Sequence, residues 1–257
     1  MENRKVLTEL KDGVLIVTIN RDEKRNAIDP ETSAMMEEIL NNAEKDPNVG
    51  CIIITGAGDR SFCAGEDLSA YDDNGTCMTI MAHGFAGITE RVCPKPIICA
   101  ANGTAVGGGL EIALACDIIV AADHAKFGLT EVKVGFLATS GGLIRLPKQI
   151  PTKIAAEMCL TGKPIPAQRA YEVGLVNYVV PKEDVLDKAM ELAQLIAANA
   201  PISLRLTKEI AHIAPQTSLE DAQRFCNVAW DFIEKTEDAV EGPKAFLEKR
   251  KPNWQGR

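Results

Sequence analysis

Four short runs rich in β-branched residues, "VLIVTIN" (14–20), "CIIIT" (51–55), "PIICAA" (96–101) and "CDIIVAA" (116–122), alternate with helical patterns. Each has the length and apolar content of a strand. Strands that alternate with helices restrict the chain to an α/β core in which crossovers cover the faces of a sheet. One helix is opened by Asp29 as cap and Pro30 at the first helical position, and runs through "ETSAMMEEILNNAEKD".

From about residue 182 the pattern changes. "EDVLDKAMELAQLIAANA", "SLRLTKEIAHIA", "SLEDAQRFCNVAWDFIE" and "EDAVEGPKAFLEKR" are amphipathic helices with no strand among them, and Thr217 with Glu220 reads as a capping box for the third. The division expected is an α/β core over 1–181 and an appended helical module over 182–257. There is no internal repeat and no low-complexity linker.

At 257 residues the chain has ample core to bury. Its 36 acidic against 28 basic residues give a net charge of −8, so an anionic ligand must meet a local basic cluster, and general attraction to nucleic acid or an anionic membrane is excluded. No run of 18 apolar residues exists, and "MENRKVLTELKDG" carries charge where a signal peptide needs its apolar region. A cytoplasmic protein is expected. The eight cysteines (51, 63, 77, 93, 99, 116, 159 and 226) form no CxxC, and most sit in apolar runs, so neither disulfides nor zinc are expected. The "NGT" sequons at Asn74 and Asn102 carry no meaning without secretion.

"VGGGLEIALACD" (106–117) places three glycines before an apolar helix, with Glu111 in its first turn. Glycines at a strand-to-helix junction let backbone N–H groups approach a ligand, and the helix N-terminus adds positive potential. The order is neither that of a P-loop nor G-x-G-x-x-G, which argues against phosphate cradling. A second glycine-bearing turn, "GAGDRSFCAGEDL" (56–68), follows another strand. Two such loops could aim one N–H each at a single developing oxyanion.

Taken singly, these features are ordinary: glycine runs make turns, a first-turn glutamate complements the helix dipole, and Glu131 in "LTEVKVGF" reads as a solvated residue. His83, His124 and His212 have no ligand or triad spacing. Ser140, before Gly141 and Gly142, reads as a helix cap, since "ATSGG" lacks the G-x-S-x-G elbow.

Jointly, "SFCAGEDL", "ANGTAVGGGLEIALACDIIVAADHAKFGLTEVKVGF", "SGGLIRLPK", "LTGKPI" and "GLVNYVV" resemble the crotonase superfamily in order and spacing, from about residue 14 to the C-terminus. The resemblance is to its enoyl-CoA hydratases. It implies a spiral of repeated ββα units, a C-terminal helical trimerisation module and a homotrimer or homohexamer. It also implies an acyl-CoA thioester substrate, with coenzyme A as part of the substrate and no metal or separate cofactor. The implied oxyanion donors are the backbone N–H groups of Glu66 and Gly108. The glutamates implied to handle water are Glu111 and Glu131, with Glu131 delivering the proton to C2. The stretch Glu66, Asp67, Leu68 and Ser69 would line the CoA arm, and Lys24, Phe246 and Lys249 would lie near the adenosine phosphate.

"NAID", "GFAGITE", "SGGLIRLPK" and the tail resemble carnitinyl-CoA dehydratases more than short-chain fatty-acid hydratases, which makes crotonobetainyl-CoA a substrate to test. Two departures stand out: Glu66 replaces a large aromatic of that subfamily, and "GFLATSGG" lacks the proline before the glycine pair. The shape of the acyl pocket is therefore not carried over. The rival enzymatic reading is an enoyl-CoA isomerase, distinguished by conversion of 3-enoyl thioesters without water uptake. An RNA-binding relative would need a basic, aromatic-interleaved patch, which the sequence lacks, and a catalytically silent scaffold is disfavoured by the retained glutamate pair.

Overall fold

The computed structural model describes residues 4–71 and 78–257, so the Asn74 sequon and Cys77 lie outside the described residues. In chain order the strands are β1 (Val6–Lys11), β2 (Val14–Ile19), β3 (Cys51–Gly56), β4 (Ser61–Cys63), β5 (Ile80–Met81), β6 (Gly84–Phe85), β7 (Ile97–Ala101), β8 (Thr104–Val106), β9 (Ile118–Ala122), β10 (Lys126–Gly128), β11 (Ile165–Pro166) and β12 (Tyr178–Val180). The helices are α1 (Pro30–Lys45), α2 (Gly108–Ala115), α3 (Gly142–Gln149), α4 (Thr152–Thr161), α5 (Ala167–Glu172), α6 (Val185–Ala197), α7 (Pro201–Ile213), α8 (Leu219–Ile233) and α9 (Glu237–Glu248).

One sheet has the order β1-β2-β3-β7-β9-β12 and a second the order β11-β10-β8-β4. The four apolar runs of the sequence are β2, β3, β7 and β9, four consecutive parallel neighbours in the middle of the first sheet. Every residue of β3 and β7 is buried, the pattern of parallel strands covered on both faces. Helix α1 begins as expected, with the Asp29 carboxylate accepting the Thr32 N–H at 2.8 Å.

Two expected caps are corrected. Helix α8 is capped by Ser218, whose hydroxyl accepts the Asp221 N–H at 3.1 Å, because Thr217 ends the preceding 3₁₀ turn. Helix α3 is capped by Gly141 at φ 104°, with no side-chain bond, so Ser140 is not its cap. Within 182–257, α6 buries Val185, Ala189 and Ala193 against β2, β3, β7 and β9, while α7, α8 and α9 bury few side chains. Among the described residues no helix is long and apolar enough to cross a membrane.

The second sheet positions the site. Strands β10, β8 and β4 are parallel neighbours. Their carboxyl ends therefore deliver three loops side by side: Glu131 after β10, Gly107 and α2 after β8, and residues 64–69 after β4. Ligand sites form outside such carboxyl ends.

Candidate active site

The turn between β8 and α2 has a backbone only glycine adopts. Gly107 lies at φ 57° and ψ −131°, where a Cβ would meet the Glu131 carboxylate at 3.4 Å. The preceding loop approaches as closely: at Gly65, φ 90°, a Cβ would stand 2.9 Å from the Gly108 nitrogen. Gly109 lets α2 run against Cys63, whose carbonyl oxygen a Cβ would strike. The glycines thus bring the 64–66 turn, the α2 N-terminus and Glu131 together.

The direction of the Glu66 N–H follows from pairing. Glu66 bridges Ile28 in parallel, with Ile28 N–H donating to Gly65 O at 2.8 Å and Asp67 N–H donating to Ile28 O at 2.9 Å. In such a bridge the flanking peptides bond to the partner, and the bridged residue's own N–H points the other way. Among the described residues neither the Glu66 nor the Gly108 N–H has an acceptor. Gly108 opens α2, where the first N–H groups have no partner within the helix.

Glu111 is 4% exposed, and its Oε1 accepts the Gly142 N–H at 2.9 Å, so it binds the N-terminus of α3. Burial pushes its carboxyl up to about 7; the backbone N–H of Gly142 pulls it down and the charge of Glu131 raises it further. Burial also raises Glu131. Its Oε2 is buried and has no hydrogen-bond partner among the described residues. A buried carboxylate oxygen without a partner is costly unless a ligand or water supplies one.

The Glu66 side chain plays no part in that arrangement. Its carboxylate accepts the hydroxyl protons of Tyr71 and Thr79, and the Tyr71 ring lies 6.1 Å from that of Phe136. At the rim, Lys24 donates to Ser69 Oγ at 3.3 Å, which brings those two expected CoA contacts together, and Leu68 is exposed. The Asp67 side chain instead turns inward, accepting from Arg21 and Ser69. Phe246, 83% exposed, and Lys249 lie at the end of α9, and among the described residues they make no hydrogen bond or ion pair with Lys24 or residues 66–69. The histidines serve elsewhere, His83 against Glu37, His124 against Asp123 and His212 against Asp117.

Sequence reasoning missed several neighbours of the site. Phe85 packs on Gly108, where a Cβ would come within 2.5 Å of its ring, and Arg145, reaching Thr89 O, is close enough to Glu111 to interact with its charge. Neither belongs to a motif with chemical spacing. Arg21 was missed because its partners lie 8 and 46 residues away in sequence.

Two backbone N–H groups without acceptors, those of Glu66 and Gly108, thus lie on loops brought together beside two carboxyls that burial raises, an arrangement suited to stabilising charge at a carbonyl oxygen. The profile of the enoyl-CoA hydratase/isomerase family matches residues 9–257, and the chain belongs to that family. It is 42% identical over 253 residues to the (E)-benzylidenesuccinyl-CoA hydratase of Thauera aromatica, covering 98% of this chain and 99% of that protein. It is 43% identical over 251 residues to the carnitinyl-CoA dehydratase of Escherichia coli K12, covering 95% and 96%. A solved enoyl-CoA hydratase from Mycobacterium tuberculosis H37Rv superposes with a TM-score of 0.93 at 40% identity, over 98% of this chain and 99% of that one.

Proposed function

We propose that the protein is a hydro-lyase that adds water across the 2,3 double bond of a 2-enoyl-CoA thioester. The observation that carries this is the glutamate pair: Glu111 raised to about 7, and Glu131, whose Oε1 faces Gly107, raised by burial with its buried Oε2 unpartnered. The thioester oxygen sits between the N–H groups of Glu66 and Gly108, which stabilise charge as the thioester enolises. Glu111 and Glu131 hold one water. Its oxygen bonds to C3, Glu111 takes the proton the water loses, and Glu131 gives its proton to C2. Exchange between the two carboxyls and solvent resets the site. These steps need no metal or redox group, since coenzyme A enters as part of the substrate.

Residues 66–69 line the CoA arm, while Lys24, Phe246 and Lys249 serve the adenosine phosphate. Lys249→Ala is expected to raise KM several-fold with kcat little changed, because a contact to a remote phosphate is made equally in ground and transition states. Steady-state kinetics check this.

A panel of 2-enoyl-CoA thioesters, with crotonyl-CoA and crotonobetainyl-CoA among them, tests the reaction through loss of the enone absorbance. Conversion of a 3-enoyl thioester without water uptake would replace hydration by isomerisation. The relatives named for carnitinyl and benzylidenesuccinyl groups favour a specialised acyl group over a plain fatty one.

The chain works as a homotrimer or a dimer of trimers, in the cytoplasm. Leu219, Val228, Trp230, Val240 and Leu247 are at least 65% exposed on α8 and α9, more apolar surface than a lone chain keeps in water. Sedimentation at micromolar concentration is expected to give a trimer or hexamer, and a monomer would refute the assembly.

A further inference from the structure

We infer that Arg21, buried behind the 64–69 loop, is a positioning residue that holds the Glu66 N–H at the thioester oxygen through its ion pair with Asp67. The inference rests on the reading of that N–H as an oxyanion donor.

The Arg21 side chain is 9% exposed, its Nη2 lies 2.9 Å from Asp67 Oδ2 and 3.1 Å from Asp29 Oδ2, and its Nη1 donates to Ala27 O. Asn26 fixes the strand side of the cluster, accepting the Arg21 N–H at 3.0 Å and donating to Ser61 O at 2.7 Å. Burial alone would raise the Asp29 carboxyl, but bonds from Lys5 and Thr32 and the charge of Arg21 hold it at about 2. Asp67 is lowered in the same way, against its burial, by Ser69 and Arg21. Both carboxylates therefore stay ionised around one guanidinium.

The geometry links this cluster to one peptide. Asp67 directly follows Glu66, and its N–H closes the bridge to Ile28 that turns the Glu66 N–H away from Ile28. Ile28 in turn precedes Asp29, so Arg21 grips both strands of the bridge from behind. Nη2 meets both carboxylates while Nη1 donates to Ala27 O, so the planar fork fixes orientation as well as charge across three groups, and a lysine's single ammonium does not reproduce it. The Arg21 side chain is buried and engaged by Asp29, Asp67 and Ala27. Its effect reaches the reaction only through the placement of one donor.

The test reads the carbonyl rather than stability. Crotonyl-CoA carrying ¹³C at the thioester carbon is mixed with the Glu111→Gln enzyme, whose turnover is slowed by about 10²–10⁴-fold, and the carbonyl stretch is recorded by rapid-mixing difference infrared spectroscopy before conversion. A strong downshift is expected, and Arg21→Lys or Asp67→Asn in that background should remove about half of it, with the affinity for free CoA unchanged in Arg21→Lys. In the otherwise native enzyme the same two substitutions should lower kcat about 10²-fold, the effect of an ångström-scale misplacement, with KM nearly constant in Arg21→Lys. If the downshift is absent even with Arg21 and Asp67 in place, the oxyanion reading fails and the positioning role falls with it. If the downshift is present and survives both substitutions, or if kcat falls only as the folded fraction falls, Arg21 is structural alone. Using two variants guards against one that does not fold.

Discussion

Replacing Glu111 or Glu131 by glutamine is expected to lower kcat for hydration by about 10²–10⁴-fold with KM little changed, the range over which positioned acid–base groups act. Glutamine keeps the shape and can still accept the Gly142 N–H, so the loss isolates proton exchange. The double substitution should cost little more than either single one, because the two carboxyls act on one water as a unit. Exchange of the C2 proton in the saturated thioester separates their roles. It should vanish in Glu131→Gln and persist in part in Glu111→Gln, where the amide pair still supports enolisation. Hydration near the wild-type rate in Glu111→Gln, with isomerisation depending on Glu131 alone, would make the enzyme an isomerase.

The same substitution has an opposite effect on stability. The Glu111 carboxyl stands at about 7 in the folded chain against 4.5 as its ordinary value. Between those values the folded state keeps a proton that the unfolded chain releases, so stability falls as pH rises from 4.5 to about 7 and stays reduced above it. Glu111→Gln should remove this loss, worth of order 3 kcal/mol at pH 8 and nothing at pH 4, as read by denaturant titration at both values.

Gly65→Ala should cost about 10²–10³ in kcat, the effect of losing one oxyanion donor. The methyl would have to stand 2.9 Å from the nitrogen of the Gly108 donor and 3.2 Å from Val106 O, at a φ of 90°. Gly174→Ala is the control. Gly174 has a similar φ of 83° but nothing within 4 Å of a Cβ, so its substitution carries the backbone strain without the obstruction. It should lower stability by about 1 kcal/mol or somewhat more and leave kcat unchanged. Equal losses of activity in the two variants would trace the effect to strain rather than to the donors.

The central strands could be read from the sequence because β2, β3, β7 and β9 are covered on both faces and so appear as unbroken apolar runs. Strand β1, "VLTELK", was not legible: all but its first residue are exposed, and its polar side chains hide the pattern. The second sheet escaped for a different reason. Its strands β4, β8, β10 and β11 are two or three residues long, too short for any periodicity, yet they carry the loops of the site. Glu111 and Glu131 could be named from motifs, but their meeting depends on β8 and β10 pairing in parallel. The cap at α3 was misread because the group that satisfies the Gly142 N–H is a glutamate 31 residues away, which no local rule reaches.

The buried thiols give the fold an internal reporter. Burial pushes Cys51 and Cys63 up to about 12, so neither presents a thiolate to solvent at neutral pH while the sheet is intact. Cys51 opens the central strand β3 and Cys63 ends β4 beneath the glycines of the active site. Alkylation of Cys63 relative to Cys51 therefore measures how often the platform under the oxyanion loop opens without the central sheet coming apart. Equal labelling rates would mean that the site and the core open as one cooperative unit, and faster labelling at Cys63 would mark the site as the part that opens first.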